Sequence, residues 1–221
     1  MKGGAAVAKD DLAGEWVRAA AELGAEPGAA GADGRWLAAQ DASPARRYHG
    51  TAHIAAVLRG IGELAEALGL TGRQLAIARA AGCAHDVIYT GAAGADEAAS
   101  ARWAREALRG AGADADAADE VGAIILATAE HRGSTPAAWA VLDADLSILA
   151  TGPADYEAYR RAVRAEYAQL DDERWRAGRT AVLRSLLARD RLYLSAAGRD
   201  RWEAAARRNI AAELAALSRP H

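Results

Sequence analysis

The sequence predicts an all-α protein built as a single compact domain, a helical bundle. Three observations carry this. Apolar residues recur at helical spacing in segment after segment, as in Ile54, Val57, Leu58, Ile61, Leu64 and Leu68. Short breaks rich in Gly, Pro and Asp separate these segments. No stretch alternates apolar and polar residues for more than a few positions, as a half-buried strand would. With 221 residues, 52% of them apolar, the chain is long enough to bury a full core.

Residues 1–9 read as a flexible lead and 10–221 as the domain. Asp10 or Asp11 can cap a first helix that Gly24 and Pro27 end. The glycines at 31 and 34 suggest a loop, with a short helix beginning at Trp36-Leu37. After the Ser43-Pro44 break, a helix is expected from about Tyr48 to Leu68. Thr71 can cap the next, which runs to about His85. Gly91 to Gly94 is a loop, and Asp96 or Glu97 opens a helix to Leu108. Another extends from its cap at Asp114 to Glu130, ahead of the Gly133–Pro136 break. Ala137 to Leu149, Asp155 to Leu170, Asp172 to Asp190 and Asp200 to Leu217 complete about nine to eleven helices.

Charge and composition narrow the functions. A net charge of −3 gives no electrostatic case for nucleic-acid binding. No apolar run reaches the roughly 18 residues a membrane span needs; Val121 to Ala129 is too short. The N-terminus lacks the long apolar region of a signal peptide. Cys83 is the only cysteine, which fits a reducing cytoplasm. Alanine is abundant and blurs hydrophobic periodicity, whereas histidine occurs only five times, so its positions carry information.

Four places gather polar chemistry. His49 and His53 are four apart, so on one helix they share a face: either a solvated face or one turned into a cleft. His85-Asp86 ends an apolar helical run. Burying both without partners would cost several kcal/mol, so they are either solvated at a helix end or gathered around a positive charge. Asp143 and Asp145 sit two apart among apolar residues, and His131 falls near a helix C-terminus. Taken together, two imidazoles and two carboxylates form an oxygen and nitrogen donor set suited to a divalent metal that activates water.

The order H…HD…D resembles the signature of the HD superfamily of metal-dependent phosphohydrolases. The likeness extends to a bacterial subgroup of predicted metal-dependent HD phosphohydrolases, across residues 12–217. Arg47-Tyr48-His49 through His53-Ile54 resembles its "RYHNxxHI", and His85 to Thr90 its "HDxxYD". Asp96 to Ala101 resembles "NExxSA", Ala127 to His131 "ATxxH", and Leu142 to Leu149 "LDADLSIL". Tyr156 to Tyr167 is similar to "YxxYxxAIRxEY". Gly50 and Asp96 stand where the subgroup has Asn, and Thr90 where it has Asp.

The resemblance implies an HD-domain helical bundle and a site. His53, His85, Asp86 and Asp145 would bind the metal, which could be Mn, Fe, Co, Ni, Zn or Mg. Asp143 would orient a ligand or replace Asp145, and His131 would touch substrate or a second metal. His49 would be the general acid, a role that suits imidazole because it titrates near neutral pH. Glu97 would hold water or a ligand histidine, or else act as a favourable charge at its helix N-terminus. Arg47, Tyr48 and Arg132 would contact a small phosphorylated substrate, a nucleotide first among candidates. The alternative is a non-catalytic HD-fold module that binds a nucleotide. Oligomeric state is not fixed by the sequence.

Overall fold

The fold is organised around one alanine-rich helix. The computed structural model describes residues 9–218, with side chains from Leu12 onward. Of the expected lead, 1–8 lie outside the described residues, and Lys9 already belongs to the first helix. The helices are α1 (Lys9–Glu22), α2 (Pro27–Asp41), α3 (Thr51–Ala65), α4 (Gly72–Ala84), α5 (Ala95–Gly110) and α6 (Ala115–Ala127). They continue as α7 (Pro136–Asp145), α8 (Pro153–Glu166), α9 (Asp172–Leu187), α10 (Ala196–Gly198) and α11 (Ala204–Leu217). A 3₁₀ segment, Leu146–Ala150, follows α7, and a π-helical turn, Arg199–Glu203, links α10 to α11. No strand forms among the described residues.

In α4, Ala76 through Ala84 is buried except for Arg79. Its small side chains let helices approach from several sides, and α1, α3, α6 and α7 all pack on it. The surrounding core takes Trp16, Leu37, Ile54, Ile61, Leu108, Ile125 and Leu142. A second apolar cluster, with Leu149, Tyr156, Leu183, Tyr193 and Ile210, joins the 3₁₀ segment to α8, α9 and α11. Asp143 fastens the two regions: its carboxylate accepts from the amides of Leu194 and Ser195 at 2.6 and 2.9 Å and from Ser195 Oγ at 2.6 Å. The result is one compact all-helical domain.

Three expectations are corrected. The stretch 31–34 is not a loop but lies inside α2. Gly34 is there for packing, since a Cβ would sit 2.9 Å from the Ala13 carbonyl oxygen of α1. Thr71 occupies the cap position of α4, but its side chain makes no capping bond. The segment expected to run helically from Ala137 to Leu149 tightens into 3₁₀ geometry after Asp145. The expected cap at Asp114 does form, and Thr135 caps α7; each accepts from a backbone amide three residues on.

One close approach positions the site. A Cβ on Gly60 of α3 would lie 2.8 Å from Ala144 Cβ of α7. That glycine lets the two helices touch, so the end of α7 packs against α3, the helix that carries His53. No helix among the described residues is long and apolar enough to cross a membrane.

Candidate metal centre

Three helix termini meet at the site. His53 lies in the first turn of α3, His85 caps the end of α4 with Asp86 next to it, and Asp145 ends α7. His53 Nε2 is 3.2 Å from His85 Nε2 and 3.2 Å from Asp145 Oδ1. It is 3.5 Å from Asp86 Oδ2, and His85 Nε2 is 3.2 Å from that same oxygen and 3.7 Å from Asp145 Oδ1. Ligand atoms of His53, His85 and Asp86 all lie within 4.8 Å of one another. His85 Nδ1 sits 3.0 Å from the Gly82 carbonyl oxygen. A carbonyl only accepts, so Nδ1 carries the hydrogen and Nε2 points into the cluster.

Two buried imidazole nitrogens facing each other between two carboxylates need positive charge among them. Burial alone would push the histidines towards neutrality. Asp86 and Asp145 overcome it, holding His53 above and His85 well above the usual imidazole range. Burial would likewise raise the carboxylates. The facing histidines reverse that, keeping Asp86 low and Asp145 well below the ordinary range. The two carboxylates thus call for positive charge beside them, supplied by protons on the imidazoles or by a cation. Two nitrogen and two oxygen donors without a thiolate fit a divalent metal.

Asp145 is held from behind. Its Oδ2 lies 3.0 Å from His131 Nε2. His131 stands beyond the end of α6 with φ of 51°, a left-handed conformation uncommon for histidine. It therefore does not serve as an ordinary helix-end histidine; its backbone bends to bring the ring to Asp145. Asp143 is not a member of this cluster, because both its oxygens are taken by residues 194 and 195.

His49 departs from its expected geometry. It precedes α3 rather than sharing a helical face with His53, because α3 begins at Thr51. Gly50 allows the turn to close on α2: a Cβ there would stand 2.8 Å from the Asp41 carbonyl oxygen. His49 Nδ1 lies 2.6 Å from Oε2 of Glu166, the last residue of α8. Glu166 Oε1 also accepts from the amides of Tyr48 and His49 at 2.7 and 2.9 Å, and Tyr89 donates its hydroxyl hydrogen to Oε2 at 3.2 Å. Burial would raise the Glu166 carboxyl, but these bonds outweigh it and hold it below the usual range. Tyr89 stacks on the His49 ring at 4.2 Å.

Glu166 and Arg46 were not singled out from the sequence. Arg46 donates to the carbonyl oxygens of Asp86 at 2.7 Å and Val87 at 2.8 Å, which fixes the backbone that carries Asp86. It is anchored by buried Asp41, also at 2.7 Å. Glu166 lay within the Tyr156–Tyr167 block, and the available signal was its position in that block beside Tyr167. Nothing in the spacing of Arg46 marks it out among so many arginines.

The remaining expected residues divide. Tyr48 packs on the rings of His53 and Tyr159, each at 4.8 Å. Arg47 is exposed at the rim of an adjoining cavity. Glu97 accepts from the amide of Gly94, capping its own helix, and also borders the polar cavity over the ligand cluster. Arg132 is not at the site: its side chain is 84% exposed, near Glu130.

Three cavities adjoin the cluster. A polar one of about 210 Å³ is lined by His49, His85, Asp86, His131 and Asp145. One of about 490 Å³, between α3 and α8, is reached by His53 and Asp145, and one of about 330 Å³ opens beside His49. In comparisons with protein-family models, curated proteins and solved structures, nothing matches this chain.

Proposed function

We propose that this protein is a metal-dependent phosphohydrolase of the HD type, acting on a phosphate ester of a small metabolite. The observation that carries the reading is the juxtaposition of two units: the His53, His85, Asp86 and Asp145 cluster, and the His49–Glu166 pair beside it across the same polar cavity. The first fits a divalent cation. The second fits proton delivery.

A divalent cation bound by that cluster supplies positive charge that acidifies water and offsets charge on phosphoryl oxygens. The chain's own groups account for the rest. Glu166 occupies His49 Nδ1, so a proton leaves from Nε2. In hydrolysis, a water oxygen bonds to phosphorus and the phosphorus–oxygen bond to the leaving group breaks. The proton on His49 Nε2 passes to the departing oxygen, giving an alcohol and inorganic phosphate. Glu166 keeps the ring's orientation through Nδ1, and Tyr89 holds the ring's plane. Arg46 fixes the backbone at Asp86, and His131 orients Asp145.

The test is Asp86→Ala. Bound metal in the purified protein and phosphate release from a panel of phosphate esters should both be lost. A variant that keeps full metal content and turnover would overturn the reading. A wild-type protein that binds metal and nucleotide and never releases phosphate would point to a non-catalytic binding module instead.

A further inference from the structure

The cavity of about 330 Å³ beside His49 has an unusual wall. The chain has only six Trp, six Tyr and no Phe. Four of these twelve, Tyr48, Tyr159, Tyr167 and Trp175, line this one cavity. Its volume lies in the range of small-molecule sites, roughly 300–1,000 Å³. The rings are held in place by neighbouring side chains, one of which, Arg179, also lines the cavity. The Arg179 guanidinium lies 5.1 Å from the Tyr159 centroid, that of Arg164 5.5 Å from Trp175, and Tyr167 packs on Trp175 at 5.5 Å. Arg179 is itself locked by Glu213 at 2.8 Å. Rings already fixed lose little freedom when a ligand arrives.

The position of this cavity is specific. His49 lines both it and the polar cavity that contains the ligand cluster, and Tyr167 lines both as well. The 490 Å³ cavity lies across Tyr48 and Tyr159 and does not include His49. A group that receives a proton from His49 while its phosphate occupies the polar cavity therefore extends towards the aromatic wall. Resting on the phosphohydrolase reading for its chemical context, we infer that this cavity binds a planar aromatic ring carried by the substrate's leaving group, as a nucleoside or aryl phosphate would present. Stacking on aromatic side chains tolerates different ring identities, because every base offers a π-face.

Two measurements test this, one of them independent of catalysis. With metal removed by chelation, calorimetry with adenosine, guanosine, cytidine, uridine and 4-nitrophenol should detect binding of at least one ring compound. Binding should weaken tenfold or more in Trp175→Ala. It should also be lost in Gly178→Leu, a position on α9 lining the cavity where an added Cβ meets no atom within 4 Å. Replacing a helical glycine there does not threaten folding. In the metal-loaded protein, kcat/KM for the matching nucleoside 5′-monophosphate should exceed that for ribose 5-phosphate by tenfold or more, and both substitutions should collapse that ratio. A preference for 4-nitrophenyl phosphate over every nucleotide would identify an aryl rather than a nucleoside leaving group. Ring compounds that bind without any phosphate release leave the aromatic site standing and overturn the hydrolase reading. Phosphate release that is indifferent to the ring, or no binding by any of the five compounds, overturns the aromatic site.

Discussion

Glu166 gathers hydrogen bonds from two backbone amides, the His49 ring and the Tyr89 hydroxyl, so one carboxylate fixes the position of His49 and occupies its Nδ1. Glu166→Gln preserves size and removes the negative charge. Under the proposed mechanism kcat should fall at least tenfold, while metal content, measured by elemental analysis, stays at the wild-type level. Loss of metal along with activity would mean that Glu166 supports the fold of the site rather than the proton donor. Asp41 gives a second residue-level prediction. Burial pushes its carboxyl up to about 7, with Arg46 offsetting only part of the rise. A carboxyl whose folded-state pKa is raised favours the folded state most when protonated. Its contribution is complete below the unfolded value near 4 and is lost as pH rises through about 7. Chemical denaturation between pH 4 and pH 8 should therefore show a smaller decline in Asp41→Asn than in wild type. An identical slope would show that Asp41 does not titrate in this window.

At the scale of elements, the contact of α3 with α7 joins packing to chemistry. Gly60 and Ala144 leave no room for another carbon between the helices, and the candidate ligands His53 and Asp145 lie on the two helices this contact joins. Gly60→Ala should cost on the order of 1–3 kcal/mol by overpacking and weaken metal binding, read by denaturation and by metal titration. Adding Ala144→Gly should recover much of both, because it removes the atom the new methyl would strike. Failure of the second change to help would mean the helices are set apart by other contacts. This contact also explains which parts of the fold were legible beforehand. Helix α3 announced itself through Ile54, Val57, Ile61 and Leu64, branched residues on one face. Helix α2 did not. Its glycines resemble a loop in sequence, yet Gly34 is where α1 passes too close for a side chain. A glycine that permits a turn and one that permits a helix crossing look alike until the partner helix is known.

Across the whole molecule, the site draws on segments far apart in the chain, and its legibility follows from that. His53, His85 and Asp86, with either Asp143 or Asp145, could be gathered because histidine is rare and the last two carboxylates stand among apolar neighbours. The choice between Asp143 and Asp145 could not be made from spacing, since it depends on where Leu194 and Ser195 lie. Glu166 reaches His49 only because α8 returns over the start of α3, a tertiary fact with no local trace. Because the ligands come from α3, α4 and α7, a cation bridging them binds the folded chain and has no equivalent site in the unfolded one. Stability should then rise with free metal as RT ln(1 + [M]/Kd), about 2.7 kcal/mol at a hundredfold excess over Kd. In a thermal melt the midpoint should climb with added metal, fall back with a chelator, and respond little in Asp145→Asn, which removes the charge of one ligand and weakens the tie to His131. A melting midpoint that ignores metal in the wild-type protein would mean these four side chains gather around protons alone, and the proposed chemistry would lose its centre.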